Sequence, residues 1–304
     1  MNAELINALF PVALVFVGVL ASLTRLVKKD VLEKIPGLLF TICYPCVIIQ
    51  SIAKTDFSAI IAENAYAAVF SAVFASLMLC LGLAVSKFMR DEHKKPVVVC
   101  GFMINNSTYI GLPVAQLLFG ARGVAFLVVF GVVQDLFLWT AGYRLFSKKE
   151  NAPMFEAFAN PVMVSVAVAI ILSLSGVGEI PIFDGITAAF GSMVAPLALL
   201  YFGHVLADDR SAAFRIRGRV LVLSACKVVV IPLITALVML ALPIDGFFKV
   251  MTVLIAGLPA PLIAVMLSKQ FGADSDFAVE MLLCSTVMYL PVFAVMRSFQ
   301  FFVA

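Results

Sequence analysis

The chain has 304 residues, of which 63% are hydrophobic and only 13% charged, against roughly a quarter charged in an ordinary soluble domain. Apolar segments of about 20 residues recur along the whole length, each long enough to cross a hydrocarbon core as a helix. This composition excludes a soluble domain of useful size and predicts an all-α integral membrane protein, in which the net charge of +3 matters only through where the basic residues lie.

Ten spans are predicted, at residues 6–24, 35–53, 65–86, 96–119, 121–146, 159–177, 182–205, 219–241, 247–268 and 276–300. Arg25, Lys28 and Lys29 follow the first span rather than precede it, so it reads as a span and not as a cleaved signal. In the second, Cys43-Tyr44-Pro45-Cys46 has the spacing of a redox motif. A spanning helix gives that motif no thioredoxin-like setting, and small apolar packing is the simpler role. Cys43, Cys46, Cys80, Cys100, Cys226 and Cys284 all fall in apolar segments, which argues against a disulfide framework.

The fourth span is interrupted near its middle by Gly111-Leu112-Pro113, and the ninth by Gly257-Leu258-Pro259. Helix-breaking residues at membrane depth are tolerated where protein or a wet cavity covers the freed backbone, and matched breaks in two halves point to a transport site. Directly before the first break stand Asn105, Asn106, Ser107, Thr108 and Tyr109. Half-helix amides and their dipole favour a negative group, and Asn, Ser and Thr add neutral hydrogen bonds beside it. The alternative is that these side chains only satisfy carbonyls freed by the kink.

In the fifth span Asp135, beside Gln134, is expected about 16 Å deep at the helical rise. It could hold a coupling cation, accept a proton or neutralise a lysine; the alternative is a structural hydrogen bond to a neighbouring helix. Ser147 to Asn151 is the best mid-chain linker and divides the spans five and five, into residues 1–148 and 152–304. Glu63, His204 and Glu280 lie near span ends and read as interfacial. The basic residues from Arg210 to Arg219 need no partner beyond orientation or anionic lipid.

Lys227 enters the eighth span about 12 Å deep, placed to attract an anion or pair with Asp135, unless its long stem lets the ammonium snorkel to the headgroups. The ninth span is drier around its break, where Gly257 and Pro259 would offer backbone groups. Ser285 and Thr286 in the tenth could add hydroxyls, or bond back to their own helix.

Of 21 Lys and Arg, sixteen fall on one side of the ten spans and four on the other, with Lys227 inside. The positive-inside rule then predicts both termini outside the cytoplasm. Pro11, Pro45 and Pro113 correspond to Pro161, Pro196 and Pro259, with Gly and Leu also matching at the breaks. Five spans per half force the second half to enter from the opposite side, giving an inverted repeat as in alternating-access transporters.

Soluble chemistries find little support. His93 and His204 lack ligand partners at zinc spacing, no phosphate-cradling loop is present, and there is no nucleophile elbow. No enzyme, catalytic residue, metal site or nucleic-acid partner is expected. Any cofactor would be a coupling H+ or Na+, and a homodimer is left open.

The run Asn105-Asn106-Ser107-Thr108-Tyr109-Ile110-Gly111-Leu112-Pro113-Val114-Ala115-Gln116-Leu117-Leu118-Phe119-Gly120 resembles the fourth-span signature of the auxin efflux carrier family. Asn160-Pro161, Ala195-Pro196-Leu197-Ala198-Leu199, and Gly257-Leu258-Pro259 with Phe271-Gly272-Ala273-Asp274 are similar to its later segments. The resemblance implies two inverted five-helix repeats with broken fourth and ninth helices crossing near the bilayer centre. It also implies a scaffold of spans 1, 2, 6 and 7, and a moving crossover unit of spans 3–5 and 8–10. The implied activity is transport of small organic anions such as malonate or malate in the inner membrane, with Asn105 and Asn106 the foremost substrate contacts. The chain lacks the long cytoplasmic loop of plant auxin carriers, so a compact bacterial-type permease fits best. The expected site comprises Asn105, Asn106, Ser107, Thr108, Gly111, Pro113, Gly257 and Pro259, with Gln134, Asp135 and Lys227 as coupling candidates. The rivals are a sodium-coupled symporter of the bile-acid type, and a membrane binding protein that does not translocate.

Overall fold

A computed structural model describes residues 3–53, 65–147, 161–175, 180–208 and 217–300. Lys54, Glu63, the linker residues 148–151, Asn160, Arg210 and Arg215 lie outside the described residues, as do the side chains of Thr108 and Pro113. The described residues form an all-α membrane bundle without a strand. Six continuous stretches among them are long and apolar enough to span a membrane: Lys29–Gln50, Ala65–Ser86, Ala125–Ser147, Pro181–Asp208, Gly218–Ala241 and Ser275–Phe293. Leu77, Ile171, Leu237, Leu240 and Leu290 are 60–74% exposed, the outward apolar surface expected of helices that face lipid.

The chain divides into two compact units, one of residues 1–59 and 151–214, the other of residues 60–150 and 215–304. The first unit contains α1 (Ala3–Leu23), α2 (Lys29–Leu32), α3 (Ile35–Leu38) and α4 (Tyr44–Ala53). It continues, after helices that belong to the other unit, with α9 (Pro161–Ser175), α10 (Pro181–Ser192) and α11 (Val194–Asp208). Glycines bring α1 and α11 into backbone contact. A Cβ on Gly203 would stand 2.0 Å from the Val15 carbonyl oxygen, and one on Gly18 would stand 2.1 Å from that of Leu200. Close approach at small residues is how helices gain dispersion contacts where lipid removes the hydrophobic drive. On the other side of the unit, the Gln50 side-chain amide donates to the Asp184 carbonyl at 3.1 Å and to Thr187 Oγ1 at 3.2 Å, tying α4 to α10.

The second unit contains α5 (Ala65–Ser86), α6 (Lys95–Met103), α7 (Leu112–Phe137) and α8 (Tyr143–Ser147). It is completed by α12 (Gly218–Ala225), α13 (Ile231–Ala241), α14 (Gly246–Ala256), α15 (Leu262–Phe271) and α16 (Ser275–Gln300). α7 is not one rod, because Gly120 has φ 59° and ψ −143°, a backbone region open chiefly to glycine. The chain folds back there: a Cβ on Gly123 would lie 2.8 Å from the Ala115 carbonyl oxygen, although these residues would stand about 12 Å apart along a straight helix. Gly120 is thus the whole connection between the fourth and fifth predicted spans. At one end of the unit, the His93 carbonyl accepts from the Asp274 amide at 3.0 Å and Lys94 pairs with Asp91 at 3.0 Å. The Lys94 ammonium and the His93 amide hold the Asp91 carboxyl below its usual range.

Pi-helical turns punctuate these helices at Leu39–Cys43, Ser107–Gly111, Leu138–Gly142 and Cys226–Val230. Three of them end two residues before a proline, Pro45, Pro113 or Pro232. A proline offers no N–H to the carbonyl four residues back, and its ring crowds that oxygen. Widening the preceding turn relieves both defects.

This corrects the expected position of the first interruption. Gly111 is helical at φ −63° and ψ −49°, and Gly111 to Pro113 passes from a π turn into α7 without a break. The helix instead stops at Met103, with Ile104 extended at φ −109° and ψ 145°, and helical structure resumes at Ser107. The second interruption falls where the sequence places it, between α14, capped by Gly257, and α15, which starts after Pro261.

Candidate functional site

The two interruptions meet inside the second unit. The Asn106 amide donates to the Pro259 carbonyl at 3.1 Å, and the Asn105 side-chain Nδ2 donates to the Ile255 carbonyl at 3.0 Å. Gly111 lies against the other tripeptide, since a Cβ there would be 3.0 Å from both Leu258 Cδ1 and Leu127 Cδ2. Every residue from Pro96 to Asn106 and from Leu254 to Ser268 is buried. Freed backbone groups in such a place must find partners within the protein.

Side chains from neighbouring helices supply them. Gln134, 2% exposed, spans the first gap: its Nε2 donates to the Met103 carbonyl and its Oε1 accepts from the Asn105 amide, both at 3.1 Å. One primary amide thereby closes two ends of a broken hydrogen-bond ladder. Ser285 meets one group of the second gap, accepting from the Ala260 amide at 3.0 Å, and donates back to the Leu282 carbonyl of its own helix at 3.1 Å. Thr286 bonds back to its own helix at Leu282, 2.7 Å away.

Lys227 is fully buried, so its ammonium does not snorkel. It donates to the Phe102 carbonyl at 2.8 Å, to the Ile104 carbonyl at 3.1 Å and to Asn105 Oδ1. The two carbonyls lie at the end of α6, where the partial negative charge of a helix terminus collects. Lys227 therefore spends its charge on oxygens of the first interruption and not on an ion pair with Asp135, which is half-buried on α7. Asn105 is thus held at both ends of its side chain, by Lys227 and by Ile255.

Asn106 and Ser107 differ from these neighbours. Asn106 is 5% exposed, and its side-chain amide has no hydrogen-bond partner among the described residues. The Ser107 hydroxyl is buried and likewise unpartnered among them. These free groups stand where helical structure resumes, and there the Ser107 amide itself already donates to the Asn105 carbonyl at 2.8 Å.

In the first unit, Glu33, His204 and Asp208 bring one ligand atom each within 4.8 Å of one another. His204 and Asp208 share one face of α11 four residues apart, a spacing that could have signalled the cluster from sequence. The Lys29 ammonium already occupies it, lying 2.8 Å from both Asp208 oxygens and 3.9 Å from Glu33, and offsets one of its two carboxylate charges. His204 Nδ1 is 3.0 Å from the Ser22 hydroxyl.

The family model described as "Membrane transport protein" matches residues 5–153 and 151–297. The chain belongs to this membrane transport family. The two matched stretches meet at the polar segment between α8 and α9, so the transport family accounts for both halves. No curated protein matches the chain. Membership in a transport family supports a non-enzymatic role.

Proposed function

We propose that this membrane transport protein is a permease of the auxin efflux carrier type, a secondary transporter for small mono- or dicarboxylates. The observation that carries the reading is the contrast among the polar residues at the two interruptions. Asn105, Gln134, Lys227 and Ser285 are all committed to backbone or side-chain partners, whereas the Asn106 amide and the Ser107 hydroxyl are free among the described residues. Free donors beside the amides of a helix start form a site for a carboxylate. Substrate therefore contacts the Asn106 side chain and the Ser107 hydroxyl, with Thr108, Gly111, Pro113, Gly257 and Pro259 shaping the crossing. Asn105 acts as a positioning residue.

The reading takes the chain as ten spans in two inverted repeats, with the fourth formed from α6 and the start of α7, and the ninth from α14 and α15. Gln134 and Ser285 support the repeat, because each accepts from a freed amide at the interruption of its own half and they are 151 residues apart, the same offset as Pro45 and Pro196. The two compact units contain spans 1, 2, 6 and 7 and spans 3–5 and 8–10 respectively, which supports a scaffold and a crossover unit working by alternating access. The sixteen-to-four division of basic residues supports an inner-membrane orientation with both termini non-cytoplasmic.

A thermal-shift series on purified protein tests the site. Short mono- and dicarboxylates should raise the unfolding temperature saturably, while their amides should not. Asn106→Ala should abolish that shift with little change in the unliganded protein. Equal shifts in wild type and Asn106→Ala would remove Asn106 from the site.

A further inference from the structure

The surroundings of Lys227 have a chemistry that its role as a hydrogen-bond donor does not exhaust. An ammonium has three donors and no acceptor, and here three oxygens receive them: two main-chain carbonyls and one side-chain amide oxygen. No carboxylate of the described residues takes part. The carbonyls are available only because the helix stops at Met103 and turns extended at Ile104, which aims the end of α6 at one point. The amide oxygen is aimed at the same point because Asn105 is pinned by Ile255 through its other end. The titratable neighbours, Cys100 on α6 and Cys226 at the start of the same π turn, are thiols and bring no fixed negative charge.

An uncharged cage of carbonyl and amide oxygens is the donor set of a site for a monovalent hard cation, with oxygens alone as ligands. Unwound backbone carbonyls and half-helix C-termini serve that purpose for coupling ions in transporters. Lys227 brings its own positive charge into such a cage from a separate helix, at the π turn Cys226–Val230. We infer that Lys227 is a tethered cation: its ammonium fills the oxygen cage at the first interruption in place of a free monovalent cation. A cation tied to the chain cannot cross with substrate, so no sodium gradient drives the cycle through this site. Of the groups that a sodium-coupled mechanism would use, which are Asp135, Gln134 and crossover carbonyls, the Gln134 side chain and the Phe102 and Ile104 carbonyls are engaged already, and Asp135 takes no part in the cage. This inference rests on the transporter reading and specifies the ion requirement of its site.

The test uses thermal unfolding of the purified full chain together with uptake in liposomes. Wild type should unfold at the same temperature in sodium chloride and in choline chloride, and its carboxylate uptake should not change when choline replaces sodium. Lys227→Ala should unfold several degrees lower in choline, because three oxygens lose their donor, and should regain stability saturably with sodium or methylammonium. Folded Lys227→Ala that no small cation stabilises would overturn the inference, as would a variant as stable as wild type in choline. If Lys227→Ala does not fold, Lys227→Met, close in volume and uncharged, takes its place. Sodium-dependent wild-type uptake overturns the inference whatever the variants do. Absence of uptake in either salt would instead contradict the transporter reading, while the unfolding comparison would still decide the cation.

Discussion

Asn105 and Asn106 are adjacent in sequence and opposite in use. Asn105 receives Lys227 on its oxygen and gives its Nδ2 to Ile255, so its side chain is part of the framework. Gln134 is framework too, and its contribution can be measured. In Gln134→Leu the Met103 carbonyl and the Asn105 amide lose their partner while still buried, at about 1–3 kcal/mol for each unsatisfied group. The variant should therefore unfold at a clearly lower temperature in detergent, while unchanged stability would mean that water or a shifted side chain replaces the amide. The polar run from Asn105 was legible because polar side chains in an apolar stretch are costly. Its division into framework and free groups was not, since the partners that decide it are 29, 122 and 150 residues away in sequence.

Among the elements, prolines explain both a success and a displacement. A single proline, Pro113, is absorbed by one π turn, and the helix continues through Gly111 to Pro113. Pro259 and Pro261 stand two apart, each removes a donor, and each pushes the residue before it towards extended backbone, so the helix yields between α14 and α15. The two Gly-Leu-Pro tripeptides are identical, and only the second has another proline, Pro261, close behind it. Helix contacts carry a separate prediction. Gly203→Ala would put a Cβ 2.0 Å from the Val15 carbonyl oxygen, forcing α1 and α11 apart at a cost of about 1–3 kcal/mol, as for other overpacked sites. Gly185→Ala on α10, where a Cβ would meet nothing within 4 Å, should be neutral or stabilising, given the higher helix propensity of alanine. Thermal unfolding of the two variants compares them directly, and equal behaviour would show that the α1–α11 contact can relax without cost.

For the whole molecule, composition alone indicated a membrane bundle, and two of the predicted spans match helices closely: 65–86 coincides with α5, and 219–241 starts one residue inside α12. These limits were legible because apolar length and flanking charge are local properties. The gathering of separate segments around one buried cation was not, because nothing in the local pattern says which helix Lys227 faces. The transport family accounts for both halves of the chain, and the free groups at Asn106 and Ser107 give that general activity a proposed place. The most direct test of the account is uptake of a labelled short dicarboxylate by liposomes containing only the purified chain. The account predicts saturable uptake that unlabelled carboxylates compete away and Asn106→Ala abolishes; dicarboxylate bound by the protein but never carried into the vesicle would contradict it.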